Sequence, residues 1–219
     1  MHALPLRQDD TFYPESDGQP MGETEIHVDE ILYLRQAFKR RFIDAADVYV
    51  GGNLFLYYRR GDPTAVLCPD VMVVRGVPKK PRRRTFKVWE EGEVPCLVIE
   101  VTSVSTRGRD HEIKKTCYAS LGVEEYFLYD PLGHALSPQI QGFRLVGSRY
   151  QTATLEPDGS LVSHTTGVTL RMEGQEIRLV ETATGHPFPR DEELDAALEA
   201  AEEEISRLRH QLERRSKEE

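Results

Sequence analysis

Pro69-Asp70-Val71-Met72-Val73-Val74 and, further along, Cys96-Leu97-Val98-Ile99-Glu100 decide how this chain is read. Each is an apolar run of strand length that meets a carboxylate at one end. Strands without polar alternation are covered on both faces, and a charge buried there must be paired or must hold a metal. Beyond Glu100, Asp110, Lys114 and Tyr118 follow at intervals of four, so they share one face of the helix expected there. Two acids and a helix-borne lysine are the parts of a site for metal-assisted phosphodiester cleavage. Adjacent strands would bring Asp70 and Glu100 close together, where two carboxylates repel unless a cation or proton intervenes. Magnesium takes one or two carboxylates, keeps several waters and stays open to phosphate. The Val101 carbonyl is a further oxygen ligand. Lys114 is placed to stabilise developing negative charge, and Lys115 to point elsewhere. The plainer alternative for the helix is a surface Asp110–Lys114 pair, worth on the order of a few tenths of a kcal/mol.

Outward from these strands, residues 1–22 read as an extended N-terminal segment rich in Pro, Gly and Asp. A helix is expected from the N-cap Thr24 to about Ile43, with Val28, Ile31, Leu32, Phe38 and Phe42 as its apolar stripe. Val48-Tyr49-Val50 and Leu54-Phe55-Leu56-Tyr57-Tyr58 flank Gly51-Gly52-Asn53, which predicts a hairpin. Residues 76–94 read as a long loop carrying Lys79-Lys80-Pro81-Arg82-Arg83-Arg84. A helix over about 107–120, capped by Gly122, leads to the strand Tyr126-Phe127-Leu128-Tyr129. Short strands follow to Leu179, with turns at Asp158-Gly159 and Glu173-Gly174.

The tail differs in kind. Leu194, Leu198, Ala201, Ile205, Leu208 and Leu212 alternate spacings of four and three, and Gly and Pro are absent after Arg190. That pattern predicts a coiled-coil helix over 190–219, most simply joining a homodimer, against the blander reading of a solvated single helix.

Composition bounds the function. The chain has 219 residues, 39% hydrophobic and 30% charged, which suits one domain plus an appendage. No apolar run approaches the roughly 18 residues of a membrane span, and residues 1–10 do not resemble a signal peptide. Cys68, Cys96 and Cys117 are odd in number and widely spaced, so they read as buried thiols in a reducing cytoplasm. The seven histidines form no His-x-x-x-His pair, which argues against zinc. Of the net charge of −9, residues 190–219 supply −5, from 11 acids against 6 basic residues. The balance counts against strong non-specific DNA binding but leaves room for an enzyme with a local basic surface.

The combined pattern resembles the PD-(D/E)XK nuclease superfamily, specifically its Uma family of bacterial restriction-endonuclease-like proteins. Carrying the resemblance are residues 65–74 around Pro69-Asp70, Val98-Ile99-Glu100-Val101-Thr102-Ser103, and Ser105-Thr106 with Asp110, Lys114 and Tyr118. Gly122-Val123-Glu124-Glu125-Tyr126, Tyr129-Asp130-Pro131, Tyr13-Pro14-Glu15-Ser16-Asp17-Gly18 and Trp89-Glu90-Glu91-Gly92 complete it. The resemblance implies a three-layer α/β fold over residues 23–189, with a central mixed sheet flanked by helices. It implies divalent-metal nuclease chemistry on DNA, using magnesium or manganese held by Asp70 and Glu100. The superfamily usually carries lysine two positions after the second acid, where this chain has Thr102. In Uma-like proteins the lysine comes from the following helix, which maps onto Lys114. An acid of the first helix often joins such sites, and Glu23 and Glu25 are the candidates.

The loop cations Lys79, Lys80, Arg82, Arg83 and Arg84 suit phosphate contact, although a solvated loop fits the same run of charge. His27 and His111 lie near helix starts, where packing or capping is the ordinary role. The leading expectation is a cytoplasmic, magnesium-dependent endodeoxyribonuclease dimerised by its tail. The alternative is a nucleic-acid-binding or interaction module that keeps the fold without cleaving. Substrate structure, sequence preference and the choice between DNA and RNA are not legible in the sequence.

Overall fold

The computed structural model describes residues 11–16, 24–102 and 109–218, with side chains given for 11–16, 24–102 and 111–214. Its contacts divide the chain into two compact units, residues 1–187 and 188–219.

The first unit opens with helix α1 (Glu25–Arg41), strands β1 (Val48–Gly51), β2 (Leu56–Tyr57), β3 (Val66–Leu67), β4 (Val71–Arg75) and β5 (Phe86–Lys87), and the one-turn helix α2 (Val88–Glu91). It continues through β6 (Leu97–Val101), α3 (Arg109–Leu121), β7 (Glu125–Tyr129), β8 (Ile140–Val146) and β9 (Arg149–Thr152). Strands β10 (Leu161–Ser163), β11 (Val168–Glu173) and β12 (Glu176–Glu181) close it. The core is a six-stranded mixed sheet in the order β1-β4-β6-β7-β8-β9. Within this sheet, among the described residues, only β6 and β7 pair in parallel. Parallel neighbours need a crossover, and α3 supplies it. Two three-stranded sheets, β3-β2-β5 and β10-β11-β12, flank the main one.

Why these residues form this sheet follows from burial. Every residue of β6 and β7 is buried, as are Val71, Met72, Val73 and Val74 of β4. Side chains alternate between faces. Met72, Val74, Val98, Tyr126 and Leu128 join one cluster together with Tyr118 of α3, with the Tyr118 and Tyr126 rings 5.2 Å apart. Helix α1 packs against β1, β4, β6 and β12. Its buried stripe is His27, Glu30, Ile31, Leu34, Ala37 and Phe38, with Thr24 accepting a hydrogen bond from the His27 N–H at its start.

The predicted hairpin across Gly51-Gly52-Asn53 does not form. Strand β1 pairs antiparallel with β4, while β2 pairs with β3 and β5 in a separate sheet. The turn residues serve a longer-range contact. The Asn53 N–H donates to the Pro69 carbonyl, and a Cβ on Gly52 would lie 2.3 Å from the Asp70 carbonyl oxygen. Glycine is required there because another backbone passes too close for any side chain. The loop over 76–94 also contains more structure than its composition suggests, namely β5 and α2.

The N-terminal residues 11–16 are docked through Tyr13. Its ring lies 5.0 Å from that of Tyr57 and 5.1 Å from that of Trp89, and its hydroxyl accepts from the Gly61 N–H. Two motifs far apart in sequence therefore meet on the small sheet.

The second unit is α4 (Asp191–Glu218), a single 28-residue helix. Leu194, Leu198, Ile205, Leu208 and Leu212 lie exposed along it. No helix among the described residues is long and apolar enough to cross a membrane.

Candidate active site

Strands β4 and β6 set the site. Val71 faces Ile99 and Met72 faces Val98 in their antiparallel register, so the next pair places Asp70 across from Glu100. Asp70 is half-buried and its Oδ2 accepts the Val101 N–H at 2.8 Å, which ties the strand ends together. Glu100 is only 3% exposed. It shares the face of Val98, beneath α3.

That helix supplies the partners. Lys114 Nζ donates to Glu100 Oε2 at 2.8 Å, and the Tyr118 hydroxyl donates to Oε1 at 2.9 Å. The four-residue spacing stacks the two donors one turn apart. Tyr118 is fully buried. Burial first, then the Glu100 charge and hydrogen bond, with smaller contributions from Tyr126 and Asp70, hold its phenol well above the ordinary tyrosine range. It therefore stays a protonated donor. Lys115, the neighbour, turns away and lies 3.7 Å from the Phe143 ring centroid.

Thr102 stands where the superfamily usually carries lysine. It is buried, and its N–H donates to the Tyr129 carbonyl at 2.7 Å, so it extends the β6–β7 pairing past Val101. Its position is filled by sheet structure, and the nearest cation to Glu100 comes from α3 instead.

The remaining expected residues are placed as follows. Glu23 and the side chain of Asp110 lie outside the described residues. Glu25 is exposed in the first turn of α1; the buried acid of that helix is Glu30, 5% exposed. Sequence reading passed over Glu30 because it sits in the apolar stripe, beside Ile31, where a carboxylate is uncommon. His27 is buried in the same stripe and His111 is half-buried on α3. Of the loop cations, Arg83 makes a bidentate pair with Glu91, Nε at 2.5 Å and Nη2 at 2.8 Å, and Arg84 pairs with Glu15. Lys79 donates to the Ile43 carbonyl at 2.5 Å. Lys80 and Arg82 are exposed.

A hard divalent cation fits the donors at the strand ends. Asp70 and Glu100 offer carboxylates on adjacent strands and Val101 a backbone carbonyl, an oxygen set of the kind magnesium accepts while keeping water ligands. Among the described residues no three His, Cys, Asp or Glu side chains gather into a metal-holding group.

No curated protein matches the chain. A solved structure, "a putative nuclease belonging to DUF820 from Anabaena variabilis ATCC 29413", is similar at 15% identity and a TM-score of 0.49, over 67% of this chain and 76% of that one. The profile of the family named Uma2, described as "Putative restriction endonuclease", matches residues 1–173. The chain belongs to the Uma2 family.

Proposed function

We propose that this protein is a divalent-metal-dependent endonuclease that hydrolyses phosphodiester bonds in DNA. The observation carrying the reading is the buried Glu100 carboxylate, bound by Lys114 and Tyr118 of one helix and set opposite Asp70 of the next strand. A buried carboxylate bonded to a lysine and a high-pKa phenol, at the open end of a strand pair, is a poor way to stabilise a fold. Desolvation of such a pair offsets much of its attraction.

Asp70, Glu100 and the Val101 carbonyl would hold magnesium or manganese. When bound, such an ion polarises the scissile phosphate and lowers the pKa of an attacking water. Lys114, 23% exposed at its side chain and so within reach of substrate, brings a positive charge to the developing phosphorane oxygens. Tyr118 acts through Glu100, fixing the orientation of its carboxylate. The Val101 N–H does the same for Asp70.

Dimerisation through 190–219 belongs to the same proposal. An exposed stripe of five large aliphatic residues along α4 suits a second copy of the helix. A cytoplasmic location belongs to the same proposal, on the odd number and wide spacing of Cys68, Cys96 and Cys117.

The test is plasmid cleavage by purified protein in magnesium. Asp70→Ala and Glu100→Ala should each reduce it by more than about 100-fold while circular dichroism remains native. Full activity in a folded Asp70→Ala variant would sink the assignment. Thr102 at the usual lysine position favours a second reading, a nucleic-acid-binding module that does not cleave. DNA binding insensitive to magnesium, with no cleavage by the wild type, would select it.

A further inference from the structure

Strand β1 is an edge of the main sheet, and a cleft of about 520 Å³ lies along it. Helix α1 contributes Arg35 and Lys39, the 79–83 loop contributes Lys79, Lys80, Arg82 and Arg83, and among the described residues no carboxylate lines it. Gathering six cations around one cleft costs folding free energy through their mutual repulsion. The structure compensates only two of them. Arg83 stacks on the Tyr49 ring at 4.3 Å and is neutralised by Glu91, and Lys79 caps the chain after α1 at the Ile43 carbonyl.

Those two contacts give the loop a fixed shape. Arg83 also donates to the Pro78 carbonyl at 3.0 Å and the Pro81 carbonyl at 3.3 Å, closing the loop upon itself. The other four cations are left facing the cleft. Among the described residues none of Arg35, Lys39, Lys80 or Arg82 forms an ion pair, and Arg35 Nε is buried without a hydrogen-bond partner. Burial, with Arg35 and Arg82 nearby, lowers the Lys39 pKa from its ordinary value. An anion in the cleft would reverse that effect.

Arg35 brings the cleft to the backbone of Asp70. A Cβ on Gly52 would lie 3.5 Å from Arg35 Cδ and 2.3 Å from the Asp70 carbonyl oxygen, so one glycine separates the two. A strand bound in the cleft would lie beside the end of β4 that carries Asp70. We propose that the cleft binds backbone phosphates of the nucleic-acid strand that the Asp70–Glu100 site acts on, with Arg35, Lys39, Lys80 and Arg82 as the contacts. This rests on the nuclease reading above. It adds two cations of α1 and assigns Arg83 and Lys79 to shaping the loop.

The test uses the full-length protein in EDTA, so that binding is read without cleavage. Anisotropy of a short fluorescein-labelled DNA duplex is measured across a salt series for the wild type and for Lys39→Gln/Arg82→Gln. The double variant should bind at least about tenfold more weakly, with a salt slope shallower by about two. Inorganic pyrophosphate should compete with DNA on the wild type. Equal affinity and equal slope in a folded double variant would overturn the proposal. So would saturable pyrophosphate binding with no DNA bound, because the cleft would then belong to a small anion. Cleft-dependent binding in EDTA together with no cleavage in magnesium would break the nuclease reading while leaving DNA binding by the cleft standing.

Discussion

Glu100 and Glu125 sit on neighbouring parallel strands and are buried to 3% and 2% exposure, yet their surroundings differ in kind. Glu125 opens β7 and is enclosed by donors that belong to the scaffold. Its Oε2 accepts from the Ser163 hydroxyl at 2.6 Å, the Thr165 hydroxyl at 2.7 Å and the Thr165 N–H at 3.2 Å. Its Oε1 accepts from the His164 N–H at 3.0 Å and from Arg144 at 3.2 Å. Burial alone would raise its pKa, but the Ser163, Thr165 and His164 hydrogen bonds win and hold it below the ordinary glutamate range. Glu100 closes β6 and meets a lysine and a tyrosine from one helix, across from another acid. The first arrangement sews the β10–β11 corner to the main sheet. The second holds an acid between two side chains of one helix, across from Asp70 of the adjacent strand. Burial of a carboxylate does not tell the two apart; the identity and origin of the donors does.

The largest expected effect on stability follows from Glu125. Backbone N–H groups face both of its oxygens, so no rotamer of a glutamine satisfies them, because one N–H always meets the amide NH2. Glu125→Gln should therefore cost about 3 kcal/mol in urea unfolding, in the range for breaking a buried charged network. The sign with pH is fixed by the lowered pKa. The wild-type advantage is complete above pH 4.5 and is lost as pH falls through the lower folded value. An advantage that grows on acidification would contradict the network.

Tyr118→Phe gives a smaller effect of mixed character. Loss of one hydrogen bond to a charged acceptor should cost about 1–2 kcal/mol, while Lys114 keeps Glu100 paired. The raised phenol pKa means the wild-type contribution is complete below pH 10.0 and declines above it, where the unfolded chain ionises first. Cleavage should fall by less than about tenfold, since Tyr118 positions Glu100 and does not meet substrate. A stability-neutral variant without activity would move Tyr118 into the chemistry.

The sequence was readable where geometry follows from local pattern. The strands leading to Asp70 and Glu100 are continuous apolar runs, and Lys114 and Tyr118 share a face because the helix repeats every 3.6 residues. It misled where a local signal served a distant contact. Gly51-Gly52-Asn53 has the composition of a hairpin turn, but its glycine makes room for the Asp70 carbonyl. The Glu125 network was invisible, since its partners come 38 to 40 residues later from another sheet. The basic cleft was half legible. Its loop cations form an obvious run, whereas Arg35 and Lys39 look like the ordinary polar side of an amphipathic helix.

In the proposed mechanism Lys114, not a residue two positions after Glu100, is the site's cation. Single-turnover cleavage of plasmid DNA by Lys114→Met tests it most directly, with magnesium affinity followed by calorimetry and folding by circular dichroism. The expected result is a rate at least about 100-fold below wild type, with magnesium binding and fold retained. Cleavage at the wild-type rate by the folded variant would contradict the account.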